Sequence, residues 1–429
     1  MGLYKIDSIT DVIHGSIPIS GLERMVISSP LFNRMHRILQ NSMVYLTFPC
    51  NKTKRFEHSI GTMYLAGEMF YHSIVNSDGD LLTNFFAKVD EKISQWYNKI
   101  DSSSYSFLSD TLIDCEEADD FSNKCSQNIC SSGVSLYKQY TPTNIENKNF
   151  FAYIVCFEAV RLAGLLHDVG HLPYSHIMEF AMKSLYFEMR GLDDKTRDTY
   201  NQERLDKFLK ALEPYYSLDD NDCELHEAIG KKIVGVLKKS IFDCFKENGK
   251  QDVKSDSEKL IATMAFDFAT DILDSFIDEK DIFSDLHSII SGTIDADRLD
   301  YCSRDFYSAG IAKGFIDYDK LFNTYELRQV DGLTNKECRH FAFCPSTKSL
   351  QMIEDLLYRR WKIYLEINYH HRVQKIHELM IHSVKQIAIA YLKDNTDDNQ
   401  KEKSEDNRAI KLGIHSLWDT IGLMKNQKA

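Results

Sequence analysis

Apolar side chains recur at three- and four-residue spacings along most of this chain, and strict alternation is confined to one stretch near residue 330. The first thirty residues read as a short strand or turn, DVIHGSIPIS, running into a helix. Leu31, Met35, Ile38 and Leu39 then predict an amphipathic helix over 30–46, with Pro30 near its start and Arg34, His36 and Arg37 on a basic flank. A Pro-containing loop leads to a second helix carrying Ile60, Met63, Tyr64, Ala66, Gly67 and Phe70. Between about 72 and 148 the pattern fades and Ser, Asp and Asn dominate. This stretch reads as an insertion, helical over 83–100 and partly mobile.

Helical periodicity resumes at Phe151 and runs to about 183. A polar segment, 184–220, reads as a second insertion with a helix between loops, and LHEAIGKKIVGVLKKSIF (225–242) as another amphipathic helix. Residues 258–313 are helical again. Alternation over 322–346, around Asp331-Gly332, predicts a β-hairpin. One long helix is expected over 347–394, then a charged flexible segment and a short terminal helix, IHSLWDTIGLM. The expected fold is all-α with a small β-hairpin region. Residues 1–393 form its core, with polar insertions at 72–148 and 184–220, and 394–429 an appendage.

Bulk properties narrow the class. The chain has 429 residues, 43% hydrophobic and 27% charged, which allows a large buried core. It has no uninterrupted apolar run of about 18 residues, so no membrane span is expected. MGLYKIDSITDVIHG lacks the basic-then-apolar order of a secretory leader, and Lys5-Ile6-Asp7 is a poor myristoylation context. Ten cysteines at irregular spacing, none in a CxxC, argue against a zinc ribbon and suit the reducing cytoplasm. A net charge of −13 disfavours wrapping of duplex nucleic acid and favours a small-molecule ligand in a local basic pocket.

The candidate chemistry is densest in RLAGLLHDVGHLPYSH, residues 161–176. An apolar helix carries His167 and Asp168 to its end, where Gly170 and Pro173 open a loop bearing His171 and His176. Neighbouring helix positions point about 100° apart, so such a pair grips one cation only if further ligands come from elsewhere. His58 and Asp297 are candidates, each in or beside an apolar helical context where an unpaired ionisable group is costly. Taken singly, His58 reads as a capping or core histidine and Asp297 as a salt-bridge partner of Arg298 or Arg304. Together, two imidazoles and two carboxylates suit Mn(II), Fe(II), Zn(II) or Ni(II), with positions open for water or a phosphate oxygen.

RFEHS (55–59), HDVGHLPYSH (167–176) and DADRLDYCSRD (295–305) resemble the HD superfamily. More narrowly they resemble its deoxynucleoside triphosphate (dNTP) triphosphohydrolases, the dGTPase-like and sterile-alpha-motif-containing enzymes. DVIHG (11–15), FNRMHRILQNSMVYLTFP (32–49), LHE (225–227) and NYHHRV (368–373) extend the resemblance over most of the chain. It implies an HD-superfamily helical core and hydrolysis of dNTPs to deoxynucleoside and inorganic triphosphate. His58, His167, Asp168 and Asp297 are then the metal ligands, with Mg(II) a further ion on the triphosphate. Arg55 grips phosphate through its forked guanidinium. His171, His176 and His226 surround the α-phosphate, and His176 or His226 protonates the departing 5′-oxygen with Glu227 tuning it. Gln40 touches the sugar, Tyr301 packs under the deoxyribose and Asp305 takes the 3′-hydroxyl. Arg298 contacts phosphate and Tyr369 packs on base or sugar. Asp297, Tyr301 and Asp305, at i, i+4 and i+8, share one helix face. The resemblance also implies a homo-oligomer.

Two departures limit what carries over. Trp361 stands where the family has an arginine for the outer phosphates, eight residues before Tyr369, with Arg360 and Lys362 beside it. Ser28, Asn33 and His36 stand where the sterile-alpha-motif relatives have an aspartate, a glutamine and an arginine forming a guanine-specific activator pocket. Any nucleotide activator therefore needs another recognition scheme. The same metal site also fits an HD phosphodiesterase or nuclease acting on single-stranded nucleic acid or a cyclic nucleotide. A non-catalytic nucleotide sensor is a third reading, disfavoured by the intact set of ligands and histidines.

Overall fold

The computed structural model describes residues 7–99, 139–216, 224–247, 253–275, 281–311, 316–331 and 339–394. The expected flexible tail, its terminal helix and much of the 72–148 insertion lie outside these. The fold is all-α, with two small antiparallel sheets among the described residues. The first sheet pairs β1 (Asp7–Asp11) with β2 (Gly15–Ile19) and leads into α1 (Gly21–Ile27). The second pairs β3 (Tyr325–Asp331) with β4 (Arg339–Pro345), as the alternating pattern predicts.

The helix at Phe150–Leu166 is the centre of the core and is buried on nearly every side, which is why its sequence shows no apolar stripe. By length and composition Asn147–Leu166 could cross a membrane, yet 94% of that window is buried inside the protein. Glu158 and Arg161 interrupt its apolar run, and both find partners from the chain's N-terminal region. Ser20 Oγ donates to Glu158 at 2.5 Å, and Arg161 Nε donates to Glu23 Oε1 at 2.6 Å. Buried charges persist only when answered in this way.

Two long helices flank this one, Arg55–Val75 and Val253–Asp274, and Ala296–Ala309 crosses the former. Numbered in chain order, the helices are α2 (Pro30–Asn33), α3 (Arg55–Val75), α4 (Gly79–Lys99), α5 (Phe150–Leu166), α6 (His176–Arg190), α7 (Asp194–Arg197) and α8 (Gln202–Tyr216). They continue as α9 (Leu225–Glu247), α10 (Val253–Asp274), α11 (Ile282–Ile290), α12 (Ala296–Ala309), α13 (Tyr318–Phe322), α14 (Leu350–Lys362) and α15 (His371–Lys393). α4 covers the expected helical part of the first insertion, and Phe85, Phe86, Val89 and Ile93 join the same core as α5.

Two expected helices are corrected. Residues 30–46 do not form one helix: α2 gives way to a tight turn at Arg34–Arg37, and Ile38 is extended (φ −102°, ψ 119°). The Ile38 carbonyl accepts the Arg55 N–H at 2.9 Å, and Gln40 N–H donates to the Thr53 carbonyl at 2.9 Å. A pairing with residues far along the chain therefore overrides the local helical period. The long helix over 347–394 is broken too. After α14 the chain passes through a wide helical turn (Ile363–Asn368), in which Tyr369 N–H bonds the Tyr364 carbonyl at 2.8 Å, and restarts as α15. Such one-residue widenings re-aim the side chains that follow.

Candidate active site

Three helices bring the four expected ligands together. His58 lies one turn into α3, His167 and Asp168 follow the end of α5, and Asp297 opens α12. His58 Nε2 lies 2.9 Å from Asp297 Oδ1, and His167 Nε2 lies 3.9 Å from the same oxygen. Asp168 Oδ2 is 3.6 Å from His58 Nε2 and 3.5 Å from His167 Nε2. Both imidazole nitrogens are buried and out of line for a hydrogen bond to these oxygens. The residues therefore fit a divalent cation, whose ligands must approach without a proton between them.

The other ring nitrogens are already committed. His58 Nδ1 lies 2.7 Å from Asp300 Oδ2, and His167 Nδ1 lies 2.7 Å from the Gly164 carbonyl oxygen. Asp300 is itself held by His14 Nε2 at 2.7 Å and by Arg304, which also reaches Asp11 at 2.7 Å. The hairpin that carries DVIHG thus fixes a metal-site imidazole through one carboxylate. Gly61 permits this approach, since a Cβ there would overlap the Asp300 and Arg304 side chains. Burial disfavours a charged His58, but Asp297 and Asp300 outweigh it and raise the ring to about 10. Burial also opposes charge on Asp168, yet Arg55, His167 and His171 hold it well below the ordinary range. The cluster draws positive charge to one point.

A second cluster adjoins the first. His171 Nε2 lies 3.2 Å from Asp168 Oδ1, and its ring stacks on His226 with centroids 3.9 Å apart and planes 11° from parallel. Glu179 reaches all three histidines: His226 Nδ1 at 2.9 Å, His176 Nδ1 at 3.4 Å and His171 Nδ1 at 3.5 Å. Glu227, expected to tune this group, instead accepts the Glu224 N–H at 3.3 Å as α9 begins, so Glu179 is the carboxylate in contact. Burial and Arg55 lower His171 to about 4. Burial would lower His226 as well, but Glu179 outweighs it and holds that ring above the ordinary imidazole value.

The loop between α5 and α6 is braced at several points. Arg34 donates to the His171 carbonyl at 2.7 Å and to the Val169 carbonyl. Tyr174 and Ser175 take positive φ values of 65° and 49°, a strained geometry for non-glycine residues just before His176. Ser175 Oγ offsets this by donating to the Leu39 carbonyl at 3.0 Å and accepting from Arg55 Nε at 2.9 Å. Arg55, expected on phosphate, also pairs with Asp168 here. Gly170 lets the loop meet α9, since a Cβ would overlap the His226 carbonyl oxygen and the Gly230 nitrogen.

Asp297, Tyr301 and Asp305 all lie on α12, as their spacing predicts. Asp305 is buried, hydrogen-bonds Asn41 and is raised by burial to about 7. Arg360 of α14 hydrogen-bonds Tyr301 and Tyr364, whereas Trp361 is 56% exposed. Arg298 pairs with Asp295 at 3.1 Å, and Tyr369 is exposed beside Tyr364. Gln40 and His176 border a cavity of about 560 Å³, together with Phe180, Asn368 and His377. Asp300, Glu179 and Arg34 are the contributors that motif reading did not single out. Their signals were the Asp300/Arg304 i, i+4 pair, the His176/Glu179 i, i+3 pair and, for Arg34, only its place in a basic helix flank.

No family model matches the chain. An uncharacterized protein of Methanocaldococcus jannaschii is 23% identical over 373 residues, 87% of this chain and 48% of its own length. The Homo sapiens protein named deoxynucleoside triphosphate triphosphohydrolase SAMHD1 is 22% identical over 387 residues, 87% of this chain and 43% of that protein. The chain is distantly similar to SAMHD1 over most of its length. Its Danio rerio counterpart gives 23% identity over 378 residues, and the Gallus gallus protein 44% over a 57-residue stretch. The chain spans less than half the length of these relatives.

Proposed function

We propose that the chain is a metal-dependent hydrolase that cleaves dNTPs at the α-phosphate, releasing deoxynucleoside and inorganic triphosphate. The observation that carries this reading is the contact between the two clusters through Asp168. One oxygen of that carboxylate faces the candidate metal ligands and the other faces the His171–His226 stack. The distant relatives named as dNTP triphosphohydrolases support it.

His58, His167, Asp168 and Asp297 would hold the ion, and this mixed donor set suits Mn(II), Fe(II), Zn(II) or Ni(II). When bound, the metal supplies an activated water and polarises a phosphoryl oxygen. The chain's own groups do the rest. Stacked imidazoles with separated proton affinities divide acid from base, so His226, whose proton affinity Glu179 raises, is the donor for the departing 5′-oxygen while His171 stays neutral. Arg298 and Arg360 offer guanidinium charge near the triphosphate, in place of the arginine that Trp361 replaces. Tyr301 forms a floor for the deoxyribose, and Asp305, near 7, hydrogen-bonds the 3′-hydroxyl.

The test is product analysis of the purified chain with each dNTP, singly and mixed, in Mn(II), Mg(II) or Fe(II), beside Asp168→Ala. Deoxynucleoside plus intact triphosphate, absent in the variant, is expected. Degradation of single-stranded DNA or a cyclic nucleotide, with no triphosphate under any condition, would replace this reading with a phosphodiesterase.

A further inference from the structure

The loop before α6, the first turn of α6 and the first turn of α9 aim four side chains at one point. His171 and His226 stack with their planes 11° apart, and both turn Nδ1 toward Glu179 Oε1, at 3.5 Å and 2.9 Å. His176 Nδ1 lies 3.4 Å from the other oxygen, Oε2. Taking one ligand atom from each residue, the four atoms all lie within 4.8 Å of one another. Around a tetrahedral zinc with bonds of about 2.0–2.1 Å, neighbouring ligands sit roughly 3.3 Å apart. The three distances from Glu179 are close to that edge length.

Hydrogen bonding does not account for the convergence. His171 Nδ1, His226 Nδ1 and Glu179 Oε1 are buried and have no hydrogen-bond partner among the described residues. Three such atoms at one place are costly, and a single cation satisfies all of them. The surroundings suit a ligand shell. His171 Nε2 lies 3.2 Å from Asp168 Oδ1, the outer anchoring by which metal-binding imidazoles are held in orientation. Glu224, 3.3 Å from His226 Nδ1, adds negative charge at the rim, and Arg55, which opposes a cation, is paired with Asp168. The His176 side chain is 53% exposed and borders the cavity of about 560 Å³, which gives an ion a way in. Three imidazoles and one carboxylate are richer in nitrogen than the two-and-two set at His58, and so favour Zn(II) over Mn(II).

We propose that His171, His176, Glu179 and His226 form a second, inhibitory metal site for Zn(II), separate from the ion site at His58, His167, Asp168 and Asp297. As the cation binds, the proton on His226 Nδ1 leaves to solvent. The ring can then no longer carry a proton on both nitrogens, and the imidazolium that donates to the 5′-oxygen is lost. This consequence rests on the proposed function; the ion site itself follows from the geometry of the four side chains and does not.

The test counts ions on the full-length, untagged chain, loaded first with Mn(II) and then dialysed against graded Zn(II), by mass spectrometry of the metals. The wild type is expected to hold one ion at each site. Glu179→Gln and His176→Ala, the first isosteric and the second at an exposed side chain, should each weaken the second ion by about a hundredfold or more, beyond the cost of losing an outer partner. Both should keep the first ion, whereas Asp297→Ala should lose the first and keep the second. Thermal melting confirms that each variant is folded. A single ion on the wild type overturns the proposal, as does a second ion that survives both substitutions at 176 and 179. Filling the second site should also cut dNTP turnover about a hundredfold while bound Mn(II) is unchanged, as loss of a general acid does. Turnover that falls only in step with Mn(II) loss overturns the inhibitory role. If the chain hydrolyses no dNTP, the proposed function fails, and the ion count alone decides the site.

Discussion

His58 can serve a cation only while its ring is held still, and a single carboxylate, Asp300, holds it. Replacing Asp300 by Asn keeps the shape but removes the charge that aligns the ring and anchors His14 and Arg304. Metal affinity should fall about 10- to 100-fold, the usual cost of losing a partner behind a ligand; metal content after dialysis against graded Mn(II) measures it. Asp305 poses the opposite problem. Its carboxyl titrates near 7 in the fold but near 4 in an unfolded chain, so the fold retains a proton that the unfolded chain releases. Its contribution to stability is full below pH 4 and is lost as pH rises through 7. Asp305→Asn should therefore melt higher than the wild type at pH 8, by on the order of 2–4 kcal/mol, with the gap closing toward pH 4. Equal gaps at both pH values would show that Asp305 is not proton-linked. Sequence reading reached Asp305 through the resemblance carried by DADRLDYCSRD, but no residue-by-residue pattern reveals how deeply a side chain is buried.

At the level of elements, the α5–α6 loop depends on close backbone contact with the start of α9. Gly170→Ala should push these apart, moving His226 off His171 and costing about 1–3 kcal/mol, as overpacking does. Urea unfolding reads the stability, and a loss of turnover larger than the fall in folded fraction reads the displaced histidine. Elements whose stability is local were legible in advance: α3, α9 and the β3–β4 hairpin follow their periodicity closely. The two misread segments fail for reasons of a different kind. Ile38 and Gln40 are pulled straight by Arg55 and Thr53, and the single helix over 347–394 is interrupted by a turn whose i to i+5 bond leaves no compositional mark. Glu227 shows a similar competition, since its carboxylate accepts the Glu224 N–H at the start of its own helix.

Across the whole molecule, the candidate ligands join α3, α12 and the end of α5, so a metal bound there would link binding to folding. A metal held at a hundredfold excess over its Kd adds about 2.7 kcal/mol to stability. Stripping the protein with a chelator should accordingly lower Tm by a few degrees. Restoring Mn(II) should recover it in the wild type but not in Asp297→Ala, as differential scanning calorimetry would show. An unchanged Tm on stripping would mean that the ion does not join these helices. The order of the ligands along the chain has a consequence for synthesis. A nascent chain emerging from the ribosome presents His58 first, the His167-Asp168 pair later and Asp297 last. The buried Nε2 of His58 must therefore wait for its last carboxylate neighbour, and the growing polypeptide stays unable to close the candidate ion site until α12 has left the exit tunnel.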